Sequence, residues 1–421
     1  MIFLIILFCE LEFPPLPQPL EIEIRPIQPE RMRIPLDSLS ISFYLLNPYG
    51  GLFRLSKGTK RYLFDIDFGI NNGEDYSSYS QTHFGIGGGN ITPKRWFGGD
   101  MDYKRESRDG HTLQHLKFST SPLFYSLYGD FYLHSDLILT DSPNYRFTTI
   151  SGRGVWESPG YWVLSSSPLY QETHPFLPIS LSFKISAPPL FLRPELSYEI
   201  FNSRPSLSTR LIFLKTPVLF NMRLTLNREN PILFDTLYSP LSELGEEIEY
   251  PVERIVFQIG ARVRSLHLSF SKGSIQSFLF WDDKDKDSLL EPHNLNTTRE
   301  EWNLSHNLEI SCFKNYLSLT YKRFNPMPSM VADVNILDSL IFKKENLSLG
   351  LSYKYTGRQG IQNHSIDPYY TISLFSGYRR GIVYLYLEVD NLLGKRYEAL
   401  PYRFDKGRKY SLGLELAKHL R

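Results

Sequence analysis

The chain has 421 residues and a formal net charge of +1. That balance excludes a protein that works through bulk charge on nucleic acid or an anionic surface, and the length suits a few soluble domains or one large barrel. The 27 Tyr and 29 Phe stand out; both favour strands, and Tyr also suits a membrane–water boundary. Mean hydropathy is slightly negative, as it is in any chain that alternates apolar and polar residues.

Residues 1–13 open with an apolar run, Met1 to Cys9. It has the length of a signal-peptide core and is too short to cross a bilayer as a helix. Residues 14–36 carry Pro14, Pro15, Pro17, Pro19, Pro26, Pro29 and Pro35, which reads as an extended linker. Residues 37–421 repeat a strand–turn–strand pattern without a break in composition, so they read as one domain. Cys9 falls in the leader and Cys312 in an expected strand, which leaves no disulfide framework.

The strands show period two. Phe64, Ile66, Phe68 and Ile70 alternate with Asp65, Asp67 and Gly69. Phe220, Met222, Leu224 and Leu226 alternate with Asn221, Arg223 and Thr225. Trp302, Leu304, Leu308 and Ile310 share a face on which His306 is the polar intruder. Leu347, Leu349, Leu351, Tyr353 and Tyr355 oppose Ser348, Gly350, Ser352 and Lys354. Val383, Leu385, Leu387 and Val389 oppose Tyr384, Tyr386, Glu388 and Asp390, and Tyr410, Leu412, Leu414 and Leu416 oppose Ser411, Gly413 and Glu415. Side chains on a strand point alternately to opposite faces, so each segment has one apolar and one polar face.

A half-exposed soluble sheet also alternates. Three features favour a membrane: segments of about nine to eleven residues, their recurrence along the whole chain, and aromatics at segment ends. The aromatics are Trp96, Tyr103, Tyr128, Trp162, Trp281, Trp302 and Tyr355. The expected fold is all-β, a large antiparallel transmembrane β-barrel of about 20–22 strands in an outer membrane. Asn47 to Gly51 is an expected tight turn, and Gly394-Lys395 an expected break. Asn71 to Gln81, Asn227 to Pro251 and Asp282 to Glu301 are expected outward loops.

Near the C-terminal end, Asn391-Leu392 follows a strand, Tyr397-Glu398 comes next, and Gly407-Arg408 opens the last strand. This succession resembles the end of TonB-dependent receptors, with Leu393-Gly394 departing from that family's Phe-Asp, and Tyr369 to Leu374 is similar to its penultimate region. The resemblance covers about the last 55 residues. It implies a barrel that takes up small solutes across the outer membrane, with an energy-coupling partner and a plug. After the leader only the Pro-rich linker precedes the strands, so the expectation is a channel or receptor without its own plug, its plug or coupling protein supplied separately. The alternative is a non-transporting structural or assembly barrel, or a receptor remnant. The matched residues are expected to be structural, Asn391 in a turn and Arg408 and Glu398 pairing across the last hairpin or facing the lumen.

Lumen-lining candidates are Arg223, Arg262, Tyr384, Tyr386 and Glu388. His111 and His115 are spaced for one metal on a helix, but on the strand their surroundings indicate they lie roughly 13 Å apart. Asp282, Asp283, Asp285 and Asp287 lack the mid-loop glycine of a calcium loop. Gly85, Gly87, Gly88 and Gly89 lack the Lys-Ser or Lys-Thr of a phosphate loop and read as a strand end or kink. No serine sits in a nucleophile elbow. The reading is therefore non-enzymatic and needs no cofactor or metal; the partners it implies are outer-membrane lipids and a small-molecule ligand, with no nucleic acid.

Overall fold

The computed structural model describes residues 38–46, 48–58, 62–74, 78–92, 95–124, 130–142, 146–158, 162–171, 174–229, 249–282, 291–328, 331–361, 364–400, 403–405 and 407–419. The leader, the Pro-rich linker, Tyr128 and the acidic run after Asp282 lie outside the described residues. Among the described residues every long element is a strand.

Twenty-two antiparallel strands close into one barrel. In chain order they are β1 (Ser38–Leu45), β2 (Tyr49–Gly58), β3 (Tyr62–Glu74), β4 (Ser78–Thr92), β5 (Arg95–Arg108) and β6 (His111–Thr120, continued by Leu123–Phe124). Then come β7 (Asp130–Asp141), β8 (Arg146–Glu157), β9 (Trp162–Ser166 with Leu169–Gln171), β10 (His174–Phe176, Pro178–Phe183 and Ile185–Ala187) and β11 (Leu190–Glu199). The second half comprises β12 (Arg204–Lys215), β13 (Val218–Glu229), β14 (Val252–Val263), β15 (Leu266–Asp282), β16 (Glu291–Ile310) and β17 (Phe313–Asn325). It ends with β18 (Val334–Lys344), β19 (Leu347–Thr356), β20 (Tyr369–Arg380), β21 (Val383–Asp390) and β22 (Lys409–His419). Closure comes from β1 pairing with β22, from Ser38 opposite His419 to Tyr44 opposite Gly413.

The two ends of the barrel differ. At one end, among the described residues, six connections are two residues long: 188–189, 216–217, 264–265, 311–312, 345–346 and 381–382. Arg264, Ser311, Glu345 and Gly381 there have φ of 54°, 51°, 48° and 59°, the left-handed geometry that matches the twist of the flanking strands. Cys312 sits in one of these turns and not in a strand as expected, because the strand before it ends at Ile310. The other end carries the long connections 357–368 and 391–408 as well as the two-residue turn 109–110.

Two rows of side chains show what the alternation becomes in three dimensions. Leu416, Ile41, Phe53, Phe68, Phe84, Tyr103, Leu116 and Leu139 are successive cross-strand partners from β22 through β7. One residue along, Ser40, Arg54, Asp67, Gly85, Asp102 and Lys117 form the adjacent row on the opposite face. The apolar row is open to its surroundings: Phe53 is 37% exposed, Phe68 43% and Leu139 40%. The same face continues through Leu414, Leu385, Tyr378 and Leu347. A contiguous apolar belt of this kind far exceeds the patches soluble monomers expose. His306 keeps its expected place on this face, between Leu266 and Leu317.

Packed apolar clusters lie on the other face. Leu123 and Tyr132 are buried against Val155, and Leu169, Phe176 and Tyr250 form a second cluster.

Several strands outrun the apolar pattern. Asn71–Glu74 and Ser78–Gln81 are paired strand and not loop, with Asn72 opposite Ser80 and Gly73 opposite Tyr79. Glu291 to Glu301 is the first half of the 20-residue β16. Polar side chains do not stop backbone pairing once a hairpin is in register, so β-structure runs on where the apolar face ends. For the same reason Tyr103 and Trp302 lie inside their strands and not at the ends. Trp162 does begin its strand, and both tryptophans are 45% exposed.

Candidate functional site: the polar face of the barrel wall

The polar face carries three arrangements that the register builds. The first lies on β3–β7. Gly85 stands between Asp67 and Asp102, and a Cβ there would sit 2.7 Å from Asp67 Oδ1 and 2.9 Å from Asp102 Oδ1. The glycine thus gives two carboxylates room to lean over one strand. His83 joins them, Nδ1 at 2.8 Å from Asp67 Oδ2 and Nε2 at 3.9 Å from Asp102 Oδ1. Beyond Lys117, Asp136 Oδ2 lies 3.3 Å from Lys117 Nζ and 3.0 Å from His134 Nε2. Gly85, Gly87, Gly88 and Gly89 are all paired within β4. His111 and His115 are paired within β6, and His115 Nδ1 lies 3.1 Å from Thr140 Oγ1.

The second arrangement is aromatic and spans the closing seam. Tyr386 packs against Tyr384 at 5.7 Å, Phe375 at 6.4 Å and, edge-on, Tyr44 at 6.4 Å between ring centroids. Gly413 opposes both Tyr44 and Tyr386, and a Cβ on it would overlap the Tyr386 ring. The Arg379 guanidinium lies 5.1 Å from the Tyr384 ring centre, and its Nη2 is 3.8 Å from Glu415 Oε1. Glu388 follows Tyr384 and Tyr386 on β21, opposite Phe375 and Ser411.

The third lies on β8–β13. A cavity of about 320 Å³ is lined by serines of β9–β12, by arginines and glutamates, and by Phe176. Arg223 stands beside this region, opposite Arg210 on β12 and Gln258 on β14. Arg262 is four residues nearer the tight-turn end of β14 than Gln258, and its Nε donates to the Arg264 carbonyl at 3.3 Å. The five candidate residues therefore fall into two groups. Tyr384, Tyr386 and Glu388 share β21, whereas Arg223 and Arg262 lie on β13 and β14, eight and seven strands away.

The C-terminal motif residues gather in the connection before β22. Asn391 is buried with φ of 48°, and its Nδ2 donates to the Lys395 carbonyl at 2.6 Å. The Tyr397 ring stacks on Tyr369 at 4.0 Å between centroids. Leu392 N donates to the Ile372 carbonyl at 2.6 Å, so this connection is tied to β20, the third strand from the end. Asp405, which the sequence did not single out, is the hub: Gly407 N donates to Oδ1 at 2.8 Å and Lys409 Nζ to Oδ2 at 2.7 Å. Arg408 lies against Gly394, and its Nη1 reaches Tyr410 Oη at 3.3 Å. Glu398 sits opposite Phe404 in a small separate hairpin.

No family model matches the sequence, and no curated protein matches it. Solved structures do match the fold. The ferric enterobactin receptor of Pseudomonas aeruginosa superposes with a TM-score of 0.70 at 12% identity, over 90% of this chain and 81% of that one. The FrpB iron transporter of Neisseria meningitidis gives 0.71 at 11% identity, over 90% and 82%. The copper transporter OprC gives 0.68 at 12% identity, over 91% and 80%. With the closed 22-strand architecture, these likenesses give the chain the barrel fold of TonB-dependent receptors.

Proposed function

We propose that this chain is the barrel of an outer-membrane channel or receptor that takes up small solutes. One observation carries the reading: a closed 22-strand wall has a continuous apolar row on one face and a charged row one residue along on the other. A wall of that kind suits lipid outside and water inside. The likeness in fold to iron and copper transporters supports uptake over a purely structural role. On this reading Arg223, Arg262, Tyr384, Tyr386 and Glu388 line the water path. Outer-membrane lipids cover the apolar belt, and a plug or energy-coupling protein gates the lumen. The role is transport without catalysis.

The test is single-channel conductance of the detergent-folded protein in a planar bilayer. Large, stable openings support an aqueous path through this chain alone. A protein shown by protease protection to be inserted, yet silent and without ligand binding, overturns the uptake reading in favour of a structural barrel.

A further inference from the structure

Arg193, Arg210 and Arg223 stand directly opposite one another on β11, β12 and β13. Adjacent strands lie only about 4.8 Å apart, and like charges in directly opposed positions destabilise a sheet. A row of three guanidiniums therefore needs negative charge nearby. The charged groups near enough to act on Arg223 are Arg210 and Arg228 on one side of the balance and Glu195 and Glu253 on the other.

The adjoining cavity has the same bias. Arg153, Arg193, Arg204 and Arg228 line it against Glu195, Glu199 and Glu229. Two of these carboxylates are already engaged in holding the wall together. Glu199 accepts from the backbone N–H groups of Leu177 at 3.1 Å and Phe201 at 3.0 Å, and also from that of Asn202. Glu229 accepts from Asn202 Nδ2 at 3.0 Å and Arg204 Nη1 at 3.1 Å. Between the arginine row and these carboxylates the register places hydroxyls: Ser180, Ser197 and Ser206 in one row, Ser182 and Ser208 flanking Glu195 in the next. Arg193 is held toward them, its Nε donating to Ser182 Oγ at 3.3 Å.

We propose that the Arg193–Arg210–Arg223 row and the serine-lined cavity beside it bind a small oxyanion, a solute bearing phosphate or carboxylate groups. Guanidinium forks match the paired oxygens of such groups, and serine hydroxyls donate to the rest. The row and the cavity together set six arginines against Glu195, Glu199, Glu229 and Glu253, and an anion offsets the remaining positive charge. The inference rests on the polar face being the lumen wall, and it gives the uptake reading a solute class.

The experiment is isothermal titration of inorganic phosphate into the full chain folded in a maltoside detergent, without lipid, so that no headgroup phosphate contributes. A saturable signal is expected for the wild type, weakened by added sodium chloride. Affinity falls roughly tenfold or more in Arg210→Gln and in Arg223→Gln and is unchanged in Lys344→Gln. Absence of a saturable signal from the wild type overturns the proposal, as does wild-type affinity in both arginine variants. The wild-type salt dependence reads the same point if a variant does not fold: binding indifferent to salt also overturns it. None of these outcomes depends on an open lumen, so a conducting barrel that ignores phosphate sinks this inference and leaves the uptake reading standing.

Discussion

The Gln171 side-chain amide donates to Tyr250 Oη at 3.0 Å, although Gln171 ends β9 and Tyr250 lies two residues before β14. Gln171 is fully buried and also accepts from Thr149 Oγ1 at 3.3 Å. Tyr250 meets the Phe176 ring edge-on at 5.9 Å. Its neighbour Glu249 is bound the other way, its backbone N–H donating to Asn294 Oδ1 at 2.8 Å. The segment 249–251 thus joins β9–β10 to β15–β16, the β15 contact being Ser277 Oγ donating to the Glu249 carboxylate. Replacing Tyr250 by Ala removes the ring and leaves the Gln171 amide without that partner, at a cost of about 3–5 kcal/mol. Tyr250→Phe removes only the hydroxyl and costs about 1 kcal/mol. Urea unfolding in lipid vesicles measures both, and equal effects would show that the hydroxyl, not the ring, carries the contact.

Burial of the same phenol sets an alkaline response. Burial is the largest influence on the Tyr250 phenol and raises it above its ordinary value of 10.0; Glu229 adds to this, and the Gln171 contact opposes it. A raised folded value means the neutral phenol is favoured by folding. Its contribution is fully present below pH about 10 and is lost as pH rises through the higher folded value. Protease protection of the 249–251 segment should therefore hold to pH about 10 and fall above it, while Tyr250→Phe shows no such fall. Loss of protection well below pH 10 would contradict the assignment.

Gly413 has no room for a methyl group. The Tyr386 ring over it is hemmed in by Tyr384, Phe375 and Tyr44, so it has nowhere to turn. Gly413→Ala should destabilise the barrel by about 1–3 kcal/mol, and the loss should shrink when Tyr386→Ala is added. The readout is the thermal midpoint at which the folded band disappears on an unheated gel. Additive losses would show that the ring is not the obstacle.

Asn391 combines a left-handed backbone with a side-chain hydrogen bond to the Lys395 carbonyl. Asn391→Ala loses both advantages and should cost about 1–3 kcal/mol, whereas Asn391→Gly keeps the backbone freedom and should cost less. Hydrogen exchange of the 391–397 connection distinguishes them. Equal exchange in the two variants would mean that backbone geometry contributes little there.

A charge on the apolar belt tests which face meets lipid. Phe68→Arg should destabilise the folded protein in vesicles by about 2–4 kcal/mol, and Asp67→Asn, one residue along, should cost less. The reverse order in vesicle unfolding would turn the wall inside out.

Period-two alternation was legible because it is a local property of each strand, and it assigned Phe68, Leu351 and Leu385 to one face and Asp67, Ser352 and Tyr386 to the other. Strand ends were not legible at Asn71 to Gln81 or at Glu291 to Glu301. There pairing with a neighbour, not side-chain hydrophobicity, sustains the strand. The arginine row was hidden for a related reason. Arg193, Arg210 and Arg223 belong to no local motif and meet only through register. A signal did exist: reflecting β12 onto β13 through the two-residue turn Thr216-Pro217 places Arg210 opposite Arg223. Asp405 escaped notice because its partners Tyr397, Gly407 and Lys409 come together only when the connection before β22 folds back.

The seam between β1 and β22 has a consequence for how the molecule is made. Every other wall contact joins strands that follow one another along the chain, so the sheet grows by successive hairpins from either direction. The last step differs, because Ser38 to Tyr44 must find Gly413 to His419. Until then each molecule offers two unsatisfied edges of matching polarity, and an edge on one copy fits the opposite edge on another as well as its own. Ring closure competes with chain-to-chain polymerisation, so dilution favours the monomeric barrel and crowding of unclosed sheets favours ordered aggregates.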